Sequence, residues 1–129
     1  MNGSCLLDTN IIIALLSGDT SLQKHIQNTE EIFIPIIAVG ELYFGARKSK
    51  RIKENIVRID EYVASSAVLG CDTQTAQEYG LIKNRLRERG RPIPENDIWI
   101  AAIAKQHNLA LVTRDEHFRE VREISCKKW

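Results

Sequence analysis

The chain has 129 residues, room for one domain, and its 43% hydrophobic content is enough to bury a core, which excludes a disordered chain. Lys and Arg total 18 against 17 Asp and Glu, so a net charge of +1 singles out no acidic partner and any nucleic-acid surface must be local. Three separated cysteines, odd in number and without a C-x-x-C pair, exclude a disulfide framework or a zinc knuckle and point to a reducing, cytoplasmic compartment.

The N-terminal Met1 to Ser4 has no basic leader, and the apolar run Ile11 to Leu16 is too short to span a membrane, so a targeting or membrane segment is not expected. Ser4 to Leu7 is a short apolar strand, with Cys5 buried in it. Asn10 to Ser17 is a helix stopped by Gly18. Ser21 to Asn28 is a second helix, capped by Thr20 or Ser21. Glu31 to Ile34 is a strand ended by Pro35. Two helices follow, Ile37 to Lys48 and Arg51 to Ser65. In the latter, Ile52, Ile56, Ile59 and Val63 form a one-sided apolar stripe.

Val68-Leu69 is a brief strand. Thr73 to Arg89 is a long helix, capped by Asp72 or Thr73 and ended by Gly90. Pro92 and Pro94 fix an extended loop. A helix begins at Asn96 or Asp97 and runs to His107, with Trp99 in its core stripe. Ala110 to Val112 is a strand, Phe118 packs the last loop, and Glu123 to Ser125 forms an edge strand. Short apolar strands alternating with helices imply an α/β fold, a short parallel sheet sandwiched by helices in one domain over 1–129. Active sites of such sheets lie beyond the carboxyl ends of the strands.

Four acids have unusual settings. Asp8 closes the run Cys5-Leu6-Leu7. Glu41 lies within Ile36-Ile37-Ala38-Val39-Gly40-Glu41-Leu42. Asp97 opens Ile98-Trp99-Ile100-Ala101-Ala102-Ile103, and Asp115 follows Leu109-Ala110-Leu111-Val112. Carboxylates among apolar neighbours need a partner, and a divalent metal pairs with several at once. Mg²⁺ or Mn²⁺ held by carboxylates serves phosphodiester cleavage, activating water and drawing charge from the phosphate. Asp8 and Asp97 are the main expected ligands, and Glu41 and Asp115 complete the set. Thr9, Asn10 and Thr113 lie beside them and are expected to hold waters or a phosphate. Asp8 and Asp97 also suit helix N-caps, and Asp115 a turn.

The motifs Leu6-Leu7-Asp8-Thr9-Asn10, Glu41-Leu42-Tyr43-Phe44-Gly45-Ala46, Ile93-Pro94-Glu95-Asn96-Asp97-Ile98-Trp99-Ile100-Ala101-Ala102 and Leu111-Val112-Thr113-Arg114-Asp115-Glu116-His117-Phe118 occur in that order. Together they span nearly the whole chain, which resembles PIN-domain ribonucleases of the VapC toxin type. The resemblance implies a Mg²⁺- or Mn²⁺-dependent endoribonuclease of a type II toxin–antitoxin system. It puts the family's acids on Asp8, Glu41, Asp97 and Asp115 and its hydroxyl on Thr113. It further implies a homodimer, an inhibitory antitoxin protein, and a structured RNA substrate such as tRNA or rRNA.

Two basic clusters, Arg47-Lys48 with Lys50, Arg51 and Lys53, and Arg85, Arg87, Arg89 and Arg91, are candidate phosphate contacts. Arg85, Arg89 and Arg91 are preferred because their loop leads to Asp97; a solvated helix face is the plain alternative. His117, near Asp115, is a candidate substrate contact, with a surface or packing residue as the preferred reading. A receiver-like binding module would need an acid beside Asp8 and a lysine after Val112, and the chain has neither. An inactive RNA-binding domain conflicts with four intact acids. A DNA-directed metal nuclease is the nearest competing enzyme.

Overall fold

A computed structural model describes residues 3–129; Met1 and Asn2, part of the N-terminal reading above, lie outside the described residues. In chain order the elements are β1 (Cys5–Leu7), α1 (Thr9–Leu16), α2 (Gln23–Gln27), β2 (Ile32–Pro35), α3 (Ile36–Arg47), α4 (Ile52–Ala64), β3 (Ala67–Leu69), α5 (Thr73–Glu88), α6 (Glu95–Gln106), β4 (Ala110–Val112) and β5 (Cys126–Lys127). Short 3-10 turns occupy Thr20–Leu22 and Glu116–Glu120. All neighbouring strands pair in parallel, in the order β3-β2-β1-β4-β5. The chain leaves β1 toward one edge and later returns to its other side, so the order reverses between β1 and β4, where α/β sheets open a crevice.

Alternation along the strands divides the core into two layers. Leu6 and Leu111 face a cluster built from α5 and α6, with Ile82, Leu86, Ile100 and Ile103 fully or almost fully buried. Cys5, Leu7 and Val112 face the other cluster, with Ile11 and Ile12 of α1, Val39 and Leu42 of α3 and Ile59 of α4. Each buried Leu or Ile stabilises the fold by about 1.5–3 kcal/mol relative to exposure.

The helix ends follow local chemistry. Asp72 caps α5 by accepting from Thr75 N at 3.0 Å, while Thr75 Oγ1 accepts from Asp72 N, a reciprocal capping box. Gly18 and Gly90, with φ of 83° and 66°, end α1 and α5 in the left-handed conformation that spares glycine a Cβ clash. Asn108, at φ 53°, does the same after α6.

Several expectations need correction. The second helix is split into a 3-10 turn and α2, and its cap is Asp19, which accepts from Ser21 N at 3.0 Å. Helix α6 starts one to two residues early, at Glu95, because Pro94 with its fixed φ serves as N-cap; Asp97 therefore lies inside the first turn and caps nothing. The edge strand forms at Cys126–Lys127, not Glu123 to Ser125, because the Glu123 carboxylate is drawn to Arg85 at 3.0 Å and to Arg89 at 3.6 Å. Trp99 is half-buried and stacks on Tyr79 with ring centroids 4.0 Å apart, outside the main core.

Candidate active site

Strand pairing brings the first and last motifs together. Leu7 pairs with Val112, and Asp8 N donates to Val112 O at 2.9 Å, so the residues after β1 and β4 emerge side by side at the order reversal. Asp8 caps α1: its Oδ1 accepts from Thr9 N at 2.8 Å. Its Oδ2 accepts from the Thr113 hydroxyl at 2.7 Å, and Thr113 Oγ1 accepts from Asp115 N at 2.9 Å. One hydroxyl thus links two of the acids. Asn10 Oδ1 accepts from Arg114 N at 3.3 Å and ties α1 to the same turn. On α3, directly after β2, Glu41 Oε1 accepts from the Thr9 hydroxyl at 3.0 Å.

Asp97 comes to the cleft from the first turn of α6, where the helix dipole favours negative charge. The approach is braced. Tyr79 of α5 donates to Glu95 Oε2 at 2.6 Å, and Lys83 of α5 bonds the other Glu95 oxygen. Glu41, Glu95, Asn96, Asp97, Asp115 and His117 line an open cleft of about 520 Å³ with Pro94. Asp8, only 4% exposed, is buried.

His117, read from the sequence chiefly as a surface or packing residue near Asp115, is exposed and stands among the acids. Its Nδ1 lies 3.1 Å from Asp115 Oδ1 and 3.5 Å from Asp97 Oδ2. The exposed ring packs into neither hydrophobic cluster. The signal available in the sequence was its i+2 spacing from Asp115: Asp115 caps the 3-10 turn by accepting from His117 N at 2.9 Å, which places that side chain beside the cleft.

The acids repel one another. Burial pushes the Asp97 carboxyl up to about 6, with further upward push from Asp8 and Asp115, against which His117 pulls it back. Burial also raises Asp8, opposed by its bonds from Thr113 and Thr9 and reinforced by Asp115. Glu41 is raised by burial and by Asp8, with the Thr9 hydrogen bond acting the other way. Among the described residues no lysine or arginine pairs with any of the four, and the basic group that does pair with two of them is the imidazole of His117. Uncompensated carboxylates around an open cleft are the donor set a hard divalent cation takes, so the residues present fit such an ion.

Arg85, Arg89 and Arg91 do not line this cleft. Arg85 and Arg89 hold Glu123, Arg89 also donates to Glu120 O at 2.8 Å, and Arg91 lies 3.9 Å from Glu120. They tie the end of α5 to the segment before β5.

A family model for the PIN domain matches residues 5–124. The chain belongs to the PIN-domain family. Among PIN-domain relatives, Ribonuclease VapC2 of Haemophilus influenzae is 34% identical over 127 residues, covering 96% of each chain. A tRNA(fMet)-specific endonuclease VapC of Shigella flexneri is 30% identical with the same coverage. The PIN fold of VapBC2 from Rickettsia felis, in a structure bound to a DNA fragment from its promoter, superposes with a TM-score of 0.89 at 25% identity over 98% of both chains. The parallel sheet with helices on both faces is therefore the architecture of this family.

Proposed function

We propose that this chain is a Mg²⁺- or Mn²⁺-dependent endoribonuclease, the toxin of a type II toxin–antitoxin pair, hydrolysing phosphodiester bonds in structured RNA of the tRNA or rRNA class. It is a ribonuclease of the VapC type, in keeping with relatives that carry that activity in their names. The observation that carries the metal dependence is the convergence of Asp8, Asp97 and Asp115 at the β1–β4 crevice without a lysine or arginine to neutralise them. An ion bound there supplies a Lewis acid for the scissile phosphate and lowers the pKa of an attacking water.

The chain's own residues do the rest. Asp8, Asp97 and Asp115 would hold the ion, with Glu41 completing the set. Thr113 and Thr9 N fix the Asp8 carboxylate through one hydrogen bond to each oxygen, so its orientation costs nothing at the moment of reaction. Glu41, raised by burial and held by Thr9, is the cleft acid suited to take a proton from the attacking water. Arg47, Lys48 and Lys53, all exposed, are the proposed phosphate contacts together with Arg85 and Arg91 where their pairs with glutamate open.

The partner is a cognate antitoxin protein. An apolar groove of about 280 Å³ between α1, α3 and α4, lined by Ile13, Leu16, Leu42, Gly45, Ala46 and Ile59, reaches Glu41 at one end. Ile13 and Phe44 are 51% and 63% exposed there and nearby on α3, surface suited to an amphipathic helix that would also cover the cleft. The reading includes a homodimer and a cytoplasmic site of action, where RNA is available. No helix among the described residues is long and apolar enough to cross a membrane.

The test is cleavage of total tRNA and of a matched single-stranded DNA, with Mg²⁺, with Mn²⁺ and with chelator, by the protein and by Asp97→Asn. Discrete RNA fragments that need both the metal and Asp97 are expected. Cutting that survives chelation or the substitution, or that prefers the DNA, overturns the reading.

A further inference from the structure

His117 is left without a role by the reaction as described, yet it occupies the cleft. Its Nδ1 and one oxygen each of Asp97 and Asp115 all lie within 4.8 Å of one another. The two nitrogen–oxygen separations are 3.1 and 3.5 Å. Adjacent ligands of an octahedral ion with bonds of about 2.1–2.2 Å are about 3.0–3.1 Å apart, so the imidazole nitrogen stands from each carboxylate at close to the spacing of neighbours in one coordination shell. The ring is 54% exposed, and its position comes from the turn that Asp115 caps.

We infer that His117 supplies an imidazole nitrogen to the ion held by Asp97 and Asp115, so that the site takes a first-row transition ion such as Mn²⁺ in preference to Mg²⁺. The inference rests on the metal-dependent reading above. Mg²⁺ is hard and takes oxygen and water almost exclusively, whereas imidazole favours first-row transition ions. An all-carboxylate cleft would leave the choice to availability; one nitrogen donor tilts it. His117 also lies on the segment that carries Asp115, so nitrogen and oxygen donors approach the ion from one rigid turn.

The experiment uses the full chain with Mn²⁺ and Mg²⁺ as probes. Calorimetric titrations are compared for the wild type, His117→Asn, His117→Gln and Asp97→Asn. Pulsed electron paramagnetic resonance is recorded on the Mn²⁺ complex of ¹⁵N-histidine-labelled protein. The expected result is a histidine ¹⁵N coupling in the wild type that is lost in both His117 variants. Mn²⁺ affinity should fall about tenfold or more in those variants, with Mg²⁺ affinity nearly unchanged. His117→Asn keeps a hydrogen-bond donor toward the carboxylates, so a role limited to holding them would leave both affinities nearly unchanged in that variant and show no nitrogen coupling in the wild type. Mn²⁺ bound in an Asp97-dependent way without that coupling overturns the role of His117 alone. Absence of Mn²⁺ binding to the wild type overturns this inference, and absence of Mg²⁺ binding as well overturns the metal dependence with it.

Discussion

Asp97 concentrates the cost of the site in one side chain. Its carboxyl, ordinarily near 3.8, is pushed to about 6 by burial and by the charges of Asp8 and Asp115. The folded chain therefore binds this proton more tightly than the unfolded chain. The associated stability is complete below about pH 4 and is lost as pH rises through 6, so above that the ionised carboxylate works against the metal-free fold. Asp97→Asn should stabilise the metal-free protein at pH 7.5 by on the order of 2 kcal/mol, the open cleft screening part of the effect, with the gain shrinking toward pH 4.5. Urea unfolding in chelator at the two pH values measures this, and a gain that does not change with pH would refute it. At this scale the sequence marked the acids through their apolar neighbours and placed His117 near Asp115 but not near Asp97, since the distance from its ring to Asp97 depends on how β4 and α6 meet.

Among the elements, α5 has two duties. Its middle braces the approach to α6 through Tyr79, Lys83 and Glu95, and its end grips the Glu120–Glu123 segment through Arg85, Arg89 and Arg91. Glu123 has a side chain only 6% exposed, and Arg89 is 20% exposed, so removing Arg89 leaves that enclosed carboxylate with Arg85 as its one remaining pair. Arg89→Met should destabilise the chain by about 1–3 kcal/mol, and adding Glu123→Gln should recover part of that loss. A double-mutant cycle by thermal or urea unfolding checks the coupling, and strictly additive losses would show that the pair contributes none. The sequence presents these arginines only as a basic cluster before a loop. Which of them find carboxylates depends on a segment far along the chain, beyond α6 and β4, which local pattern does not encode.

For the whole molecule, binding at the crevice should report on folding as well as on chemistry. Asp8 follows β1, Glu41 sits on α3, Asp97 on α6 and Asp115 after β4, so an ion taken by them would join both layers across the sheet. A ligand that binds only the folded state adds RT ln(1 + [L]/Kd), about 2.7 kcal/mol at a hundred times Kd. Mn²⁺ should therefore raise the thermal midpoint of the wild type in a concentration-dependent way and leave Asp97→Asn almost unmoved. Equal shifts in the two proteins would mean that the ion binds elsewhere. Packing carries the same logic: Ile100→Ala, in a side chain wholly removed from solvent between α6 and the sheet, should cost about 2–5 kcal/mol in urea unfolding, and a loss below about 1 kcal/mol would contradict the packing.

By itself the sequence determined the alternation of strand and helix, the stops at Gly18 and Gly90, the cap of α5 at Asp72 or Thr73, the family and the four acids as candidates for the site. These are local or ordered along the chain: period, capping chemistry and motif succession are properties of neighbouring residues. Tertiary structure decided the rest. The placement of β4 beside β1 set Thr113 on Asp8, the early start of α6 after Pro94 aimed Asp97 without a capping role, and the pull of Arg85 and Arg89 on Glu123 moved the edge strand to Cys126–Lys127. Each is a contact between residues far apart in the chain, selected by which faces of the sheet and helices can be buried together, and only the folded molecule brings those faces into register.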